Sequence, residues 1–412
     1  MKILQLCYKM PYPLKDGGEY SIYNSALSLL MQPNTEVKVL AMNTKKNWVN
    51  PRLLPKAFIA KTNFEFVEVD TRIKPANMFL NLFTSKSYFI DRFYSKAYER
   101  KIISLLLNNS YDVIQLEHLY LCIYLKCIRA NFNGKIVLRA QNVEYKLWET
   151  YIQSNKNSLE KWYLRIASRR LKKFEVDMVS QLDGVINLSK EDRTIYQMFA
   201  SNTPLTSIPI AFNQSLLKNY SYEKQFEKQT IVYHLGSMDW RPNIQGVLWF
   251  IKEVLPILTK LQPDVQIRLA GKKMPRIFHT YQGANLHVDG EVENALQYQE
   301  DKAILIVPLL TGSGIRVKII EALALGKSII STTIGAQGIE YSNGENILIA
   351  DDPRSFAEAI VKCVNSLELQ KKLSENSKVL AKTKYSLENV GSQKISFYKQ
   401  IKNTTQHCVK MH

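Results

Sequence analysis

One stretch of the chain combines a glycine turn, two cations and a carboxylate within ten residues. An apolar strand is predicted over 303–307, and the turn after it leads into a helix that ends at Gly326. Backbone N–H groups at a helix N-terminus bind anions, and a carboxylate about one and a half turns further down the helix can accept hydrogen bonds from sugar hydroxyls. We therefore predict a phosphate-plus-ribose site. The residues predicted to form it are Gly312, Ser313, Gly314, Ile315, Arg316, Lys318 and Glu321.

Residues 308–326 resemble the nucleotide-sugar signature of the family 4 glycosyltransferases, which are group 1 glycosyl transferases with the GT-B fold. The resemblance continues at 234–243 and 334–339 and ends with a short motif at 385–388. It is dense over the C-terminal half of the chain. In the N-terminal half it depends on 11–18, 112–117 and 139–148.

The resemblance implies an α/β chain in which two Rossmann-like domains face a cleft. We assign 1–210 to an N-terminal domain on the acceptor side and 211–385 to a C-terminal domain that binds the nucleotide-sugar donor. Residues 386–412 are assigned to a helix and tail that cross back onto the N-terminal domain.

Hydrophobic patterning supports this fold class independently, because strand-like runs alternate with helical periodicity along most of the chain. Long helices are predicted over 19–32, 86–107 and 143–180. The predicted strands of the first half are 3–6, 37–41, 64–69, 113–116, 136–139, 184–188 and 205–209, and those of the second half are 231–235, 265–270, 286–288, 303–307, 328–331 and 347–350.

Two departures from the family pattern concern the donor site. Many members carry an Arg directly after Gly236 and a Lys five residues beyond it, both on the diphosphate, but this chain has Ser237 and Pro242 there. Arg241, Arg316 and Lys318 are candidates to replace that charge, although Arg241 is equally consistent with an exposed surface residue. The first glutamate of the family's pair falls on Ser313, and Glu321 matches the second, which binds the ribose.

The resemblance places further candidates in the N-terminal half. Gly17 and Gly18 follow the first strand and are expected to face the donor's phosphates and sugar. Glu117 and His118 end another strand, where either can orient or deprotonate an acceptor hydroxyl or simply cap the strand end. Two further candidates for acceptor binding end the next strand, namely Asn142 and Glu144.

A net charge of +18 over 412 residues indicates polyanionic partners. No nucleic-acid-binding motif is present, so we expect a nucleoside-diphosphate sugar, a glycan or lipid-linked acceptor and an anionic membrane surface, and no nucleic acid. Cations alternate with aromatic residues over 161–174, which is typical of a solvated helix or of a contact with lipid head groups. The apolar run at the N-terminus is too short for the core of a signal peptide. We therefore expect a cytoplasmic protein or one bound peripherally to the membrane.

The favoured function is therefore transfer of a sugar from a nucleoside diphosphate to an acceptor hydroxyl in cell-surface glycan or polysaccharide synthesis. The resemblance implies retention of configuration and no metal or other cofactor. Two alternatives remain, a UDP-sugar 2-epimerase of the same architecture and a non-catalytic protein that kept the fold. Ser313 in place of a carboxylate argues against the epimerase.

Overall fold

The computed structural model describes residues 1–154, 158–200, 202–226, 230–312 and 314–409. They form two compact units. The first contains residues 1–211 together with the helix that begins at Leu387, and the second is Phe212–Ser386.

The first unit is built on a parallel sheet whose described strands follow the order β3-β2-β1-β4-β5-β6-β7. Most of these strands are apolar and buried along their length, as expected for parallel strands covered by helices on both faces. The strands are β1 (Lys2–Cys7), β2 (Glu36–Thr44), β3 (Glu65–Val69), β4 (Val113–Leu116), β5 (Lys135–Ala140), β6 (Gly184–Asn187) and β7 (Leu205–Ser207).

Helices connect these strands. They are α1 (Gly17–Leu30), α2 (Lys56–Thr62), α3 (Pro75–Asn81), α4 (Tyr88–Asp91), α5 (Lys96–Asn108), α6 (Leu125–Asn131), α7 (Glu144–Ser154), α8 (Ser158–Val179) and α9 (Lys190–Gln197). The single helix predicted over 86–107 is wrong, because Ser95 caps a separate α5 by accepting a hydrogen bond from the Tyr98 N–H. The helix predicted over 143–180 corresponds to α7 and α8, and residues 155–157 lie outside the described residues.

The second unit repeats the plan with a parallel sheet of order β10-β9-β8-β11-β12-β13 in the described residues. Its strands are β8 (Ile231–Leu235), β9 (Gln266–Ala270), β10 (Leu286–Gly290), β11 (Ile304–Val307), β12 (Ser328–Ser331) and β13 (Leu348–Ile349). Its helices are α10 (Arg241–Trp249), α11 (Leu255–Leu261), α12 (Arg276–His279), α13 (Ala295–Gln299), α14 (Val317–Ala324), α15 (Pro353–Val364) and α16 (Leu367–Lys384).

The last helix, α17 (Leu387–Val409), packs against α1 and so returns the chain to the first unit. Val390 and Phe397 join the hydrophobic core there. Gly391 allows a close approach, because a Cβ at this position would overlap the Ser28 carbonyl oxygen of α1. The predicted α/β fold class and the returning C-terminal helix are confirmed.

In the described ranges, no helix has both the length and the apolar character needed to cross a bilayer.

Candidate functional site

The turn between β11 and α14 has the backbone that its glycines suggest. Gly312 and Gly314 adopt φ values of +123° and +81°, which L-residues with side chains rarely adopt. Ser313, predicted to bind the donor, lies outside the described residues. Gly314 is buried and Ile315 is half-buried beside it.

Arg316 stabilises this turn from the N-cap of α14. Its Nη1 donates to the Gly314 carbonyl at 2.9 Å, and its guanidinium lies over the Trp240 ring, 4.9 Å from the centroid. Only 5% of the residue is exposed. Arg316 therefore connects the two loops that follow β8 and β11, and it places fixed positive charge between them.

Lys318 reaches the same place from the first turn of α14. Its Nζ donates to Asn243 Oδ1 at 3.1 Å and lies so close to Gly236 that a Cβ there would collide with it. Burial, together with the charge of Arg316, lowers the pKa of Lys318 to about 7 against the opposing effect of Glu321. The amine therefore lies against the loop after β8, beside Gly236 and Asn243.

Glu321 follows Lys318 by one helical turn and is half-buried. Burial raises the pKa of this carboxyl to about 7, against the opposing effect of Lys318. A cation and a carboxyl are thus held on one helix face, and both titrate near neutral pH.

His234, at the end of β8, was not identified from the sequence. Its Nδ1 lies 3.0 Å from the Ile306 carbonyl, and its Nε2 is buried without a hydrogen-bond partner. Burial, with the charge of Lys318, holds the pKa of His234 well below its usual range, so the ring is neutral and Nδ1 donates. A Cβ on Gly236 would lie 3.1 Å from His234 Nε2 and 3.0 Å from Asn243 Nδ2. Three side-chain nitrogens therefore converge on Gly236, those of His234, Asn243 and Lys318.

Arg241 is the exposed first residue of α10. The loop before it carries Asp239, which accepts from Ser237 Oγ at 2.6 Å and pairs with Lys273 at 2.9 Å. Ser237 therefore orients the exposed carboxylate of Asp239, and residue 237 itself contributes no positive charge.

In the first unit, Gly17 and Gly18 form the first turn of α1 and not an open loop. The N-cap Asp16 accepts hydrogen bonds from the N–H groups of Gly18 and Glu19, at 2.8 and 2.9 Å. The Gly18 N–H is therefore already paired. A Cβ at Gly18 would lie 2.9 Å from Lys9 Nζ and 3.0 Å from the Tyr8 hydroxyl, so this glycine makes room for Lys9 and Tyr8.

The structure separates Glu117 from His118. Glu117 is fully buried, where it pairs with Arg139 at 2.9 Å and accepts from Ser25 Oγ at 2.6 Å. This environment favours a structural role over the predicted contact with an acceptor. Successive residues at a strand end point to opposite sides, which explains why only one of the two joins the cluster described next.

His118 instead meets the predicted acceptor residues. Its Nε2 lies 3.1 Å from Glu144 Oε1, and Glu144 also accepts from the Tyr120 hydroxyl at 3.0 Å and from Asn142. Burial would raise the pKa of Glu144, but His118 and these hydrogen bonds outweigh it and the pKa is lowered. The His118 ring also contacts Tyr8, with ring centroids 4.5 Å apart. This His118–Glu144 pair is the candidate general acid–base arrangement of the first unit.

Among the residues that the structure describes, no group of three or more His, Cys, Asp or Glu side chains is placed to hold a metal ion.

Comparison with known proteins finds a family match in the second unit. Residues 229–366 match the family described as glycosyl transferases group 1. An uncharacterized 44.6 kDa protein in the cps region of Klebsiella pneumoniae is 24% identical over 280 residues, which cover 66% of this chain and 70% of that protein.

Solved structures match over nearly the whole chain. Sucrose-phosphate synthase from Thermosynechococcus elongatus superposes with a TM-score of 0.69 at 17% identity, covering 98% of this chain and all of that one. HepE from Anabaena, in complex with UDP, superposes with a TM-score of 0.66 at 14% identity, covering 97% of this chain and all of that one. At these identities the likeness shows the fold. Residues 229–366 therefore match a group 1 glycosyltransferase domain, and the chain as a whole has the GT-B fold.

Proposed function

We propose that this glycosyltransferase moves a sugar from a nucleoside-diphosphate sugar to an acceptor hydroxyl, with the donor bound in the second unit. The observation that carries the proposal is the placement of Lys318 Nζ against Gly236, with Glu321 one turn below. Lys318 and Arg316 offer charge to a diphosphate, and Glu321 offers an acceptor to ribose hydroxyls. That HepE of the same fold has been solved with UDP and with UDP-glucose supports a nucleotide sugar as the donor.

Two cations at the diphosphate favour the transition state over the ground state, because negative charge grows on the leaving group as the glycosidic bond breaks. The proposed reaction retains configuration and needs no metal or other cofactor. Lys318 contributes most when protonated, and an adjoining diphosphate raises its pKa from about 7 and so keeps it charged.

In the first unit, His118 and Glu144 are proposed to orient the acceptor hydroxyl, with Asn142 beside them. Glu144 fixes the imidazole through Nε2, and the hydroxyl would take the place of the long 3.4 Å hydrogen bond that His118 Nδ1 accepts from the Tyr120 N–H. We propose a glycan or lipid-linked acceptor in polysaccharide synthesis, which the relative in the cps region supports. An anionic membrane surface is the proposed partner for the charge of +18.

The test is release of nucleoside diphosphate from a panel of UDP-, GDP- and dTDP-sugars, with and without candidate acceptors and with EDTA present. Lys318→Met should lower kcat more than it changes KM, whereas the exposed control Lys260→Met should leave both unchanged. Wild-type rates in Lys318→Met would refute the assignment of the phosphate site.

His118→Asn should lower kcat and leave the affinity for the nucleoside diphosphate unchanged. Loss of nucleotide affinity in that variant would contradict the division of roles between the two units.

A further inference from the structure

Four large apolar side chains around α3 are exposed. Ile73 is 55% exposed, Phe79 and Leu80 are each 62% exposed, and Phe83 is 77% exposed. The Phe79 and Phe83 rings contact each other edge to face, with centroids 5.5 Å apart. We call these four residues the α3 apolar patch. Clustered exposed aromatic and aliphatic side chains of this kind mark an interaction surface.

The patch is held in place by polar contacts beneath it. Arg170 of α8 donates to the Asn81 carbonyl at 2.7 Å and to the Leu82 carbonyl at 3.0 Å. Asn81 Nδ2 donates to the Lys86 carbonyl at 3.2 Å, and the Lys74 N–H donates to the Tyr88 hydroxyl at 2.8 Å. Arg170 is therefore a structural residue that fixes the end of α3, although the sequence suggests a freely solvated cation.

Exposed cations lie in the same segment as the patch. Arg72, Lys74 and Lys86 are exposed within the same segment, and Asp70 pairs with the first two. Positive charge therefore exceeds negative charge beside the exposed aromatic rings.

More cations lie on α8, which carries Arg170. At 100° per residue, the face opposite Arg170 belongs to Lys161, Arg165 and Lys172. They line a cavity of about 400 Å³ beside α7, together with Arg169 and the carboxylate of Glu149. The flank between this cavity and Arg170 presents the exposed side chains of Trp162 and Lys173. Helix α8 thus joins the support of the apolar patch to a basic face.

We propose that the α3 apolar patch and the exposed basic face of α8, formed by Arg165, Arg169 and Lys173, are one surface that docks on an anionic lipid bilayer. The apolar side chains enter the interface between head groups and acyl chains, and the cations bind anionic head groups. Charge complementarity selects this occupant, because a second copy of the chain would bring like charge and a nucleic acid would leave the apolar patch in water. The inference rests on the proposed membrane partner and is independent of the sugar-transfer step.

The test uses the full chain and sedimentation with vesicles of phosphatidylcholine alone or mixed with phosphatidylglycerol. Wild type should bind the mixed vesicles and not the neutral ones. Phe79→Ser/Phe83→Ser should weaken binding about tenfold or more at every salt concentration, because it removes two phenyl rings whose burial in the bilayer interface favours binding. The matched control Leu107→Ser/Met198→Ser removes two apolar side chains of the same unit that are 71% and 77% exposed, and it should bind like wild type.

Arg165→Gln/Arg169→Gln/Lys173→Gln should weaken binding at low salt and approach wild type at high salt, because salt screens only the charge contribution. Lys252→Gln/Lys260→Gln/Lys362→Gln makes the same change in charge on exposed residues of the second unit and should have no effect. All variants should keep wild-type thermal stabilisation by UDP, which separates this test from that of the donor site.

Three results would overturn the proposal. They are equal binding of wild type to neutral and anionic vesicles, wild-type binding by both test variants, and absence of vesicle binding. A concentration-dependent dimer that Phe79→Ser/Phe83→Ser disrupts, without vesicle binding, would identify the patch as a contact between copies of the chain.

Discussion

At the scale of single residues, Lys318 and Glu321 define the chemistry of the second unit. Burial pushes their pKa values towards each other until both lie near 7. An anion beside the amine and a hydroxyl beside the carboxylate would each favour the charged form. Binding a nucleoside diphosphate should therefore be coupled to two proton transfers of opposite sign.

The first prediction concerns Glu321. Glu321→Gln keeps the shape of the side chain but removes a charged acceptor, whose hydrogen bonds are worth about 1.5–3 kcal/mol. Affinity for UDP should therefore fall about ten- to a hundredfold. Titration calorimetry measures it, with the exposed Glu253→Gln as control. Unchanged affinity in a folded Glu321→Gln protein would remove the ribose assignment.

The second prediction concerns protons. At pH 7, Glu321→Gln leaves Lys318 mostly neutral, so UDP binding should take up a proton. Lys318→Met leaves Glu321 mostly protonated, so binding should release one. Calorimetry in buffers of different ionisation enthalpy measures both, and wild type should lie between the two variants. Proton uptake by both variants, or by neither, would contradict the paired titration.

The sequence predicted part of this site. The signature at 308–326 identified Arg316, Lys318 and Glu321, and the structure places Arg316 and Lys318 against the loop after β8, with Glu321 one helical turn beyond Lys318. It gave no indication of His234, because convergence of its Nε2 with Lys318 and Asn243 on Gly236 depends on how two strand ends meet. The sequence did not separate Glu117 from His118, because adjacent titratable residues look equivalent until strand alternation places them on different sides.

At the scale of elements, the returning helix α17 depends on one close contact and one buried polar network. Lys394 is fully buried in α17, and its Nζ donates to Ser25 Oγ at 2.8 Å and to Ser28 Oγ at 3.1 Å, both on α1. Ser25 in turn donates to Glu117, which pairs with Arg139. The carboxylate first considered as a catalytic group therefore helps to attach the C-terminal helix to the sheet.

The third prediction tests this packing. Gly391→Ala places a Cβ on the Ser28 carbonyl oxygen and should destabilise the first unit. Overpacking of this kind costs about 1–3 kcal/mol, and thermal unfolding should shift down by about 2–4 °C for each kcal/mol. Gly283→Ala is the control, because a Cβ there meets nothing within 4 Å. Equal melting temperatures for the two variants would show that α17 does not need the glycine.

At the scale of the whole molecule, two parallel sheets repeat one plan, and alternating hydrophobic periodicity was enough to predict both. The helix boundaries were harder to predict. The break between α4 and α5 depends on the Ser95 cap, whereas the apolar pattern runs continuously across it and indicates a single helix. The net charge predicted an anionic partner but gave no position for it, since exposure of Phe79 and Phe83 is a property of the folded chain.

The fourth prediction links buried charge to stability. Lys327 is fully buried, and burial lowers its pKa from 10.5 to about 7. Between about pH 7 and 10.5 the Lys327 amine is therefore protonated in the unfolded chain and neutral in the folded one. Lys327 therefore makes stability rise with pH across that window, by up to about 1.4 kcal/mol per pH unit.

Denaturant unfolding at a series of pH values measures this slope. Lys327→Met should flatten it between pH 8 and 10, and the exposed Lys260→Met should not. An unchanged slope in Lys327→Met would show that the buried amine stays charged.

The most direct test of the central claim is thermal stabilisation of the full chain by UDP, GDP and dTDP. At about 100 times its dissociation constant, the correct nucleoside diphosphate should add about 2.7 kcal/mol of stability. Lys318→Met combined with Glu321→Gln should abolish this shift, and Lys260→Met combined with Glu253→Gln should preserve it. Absence of stabilisation by any nucleoside diphosphate, or full stabilisation of the Lys318 and Glu321 double variant, would contradict a donor site in the second unit.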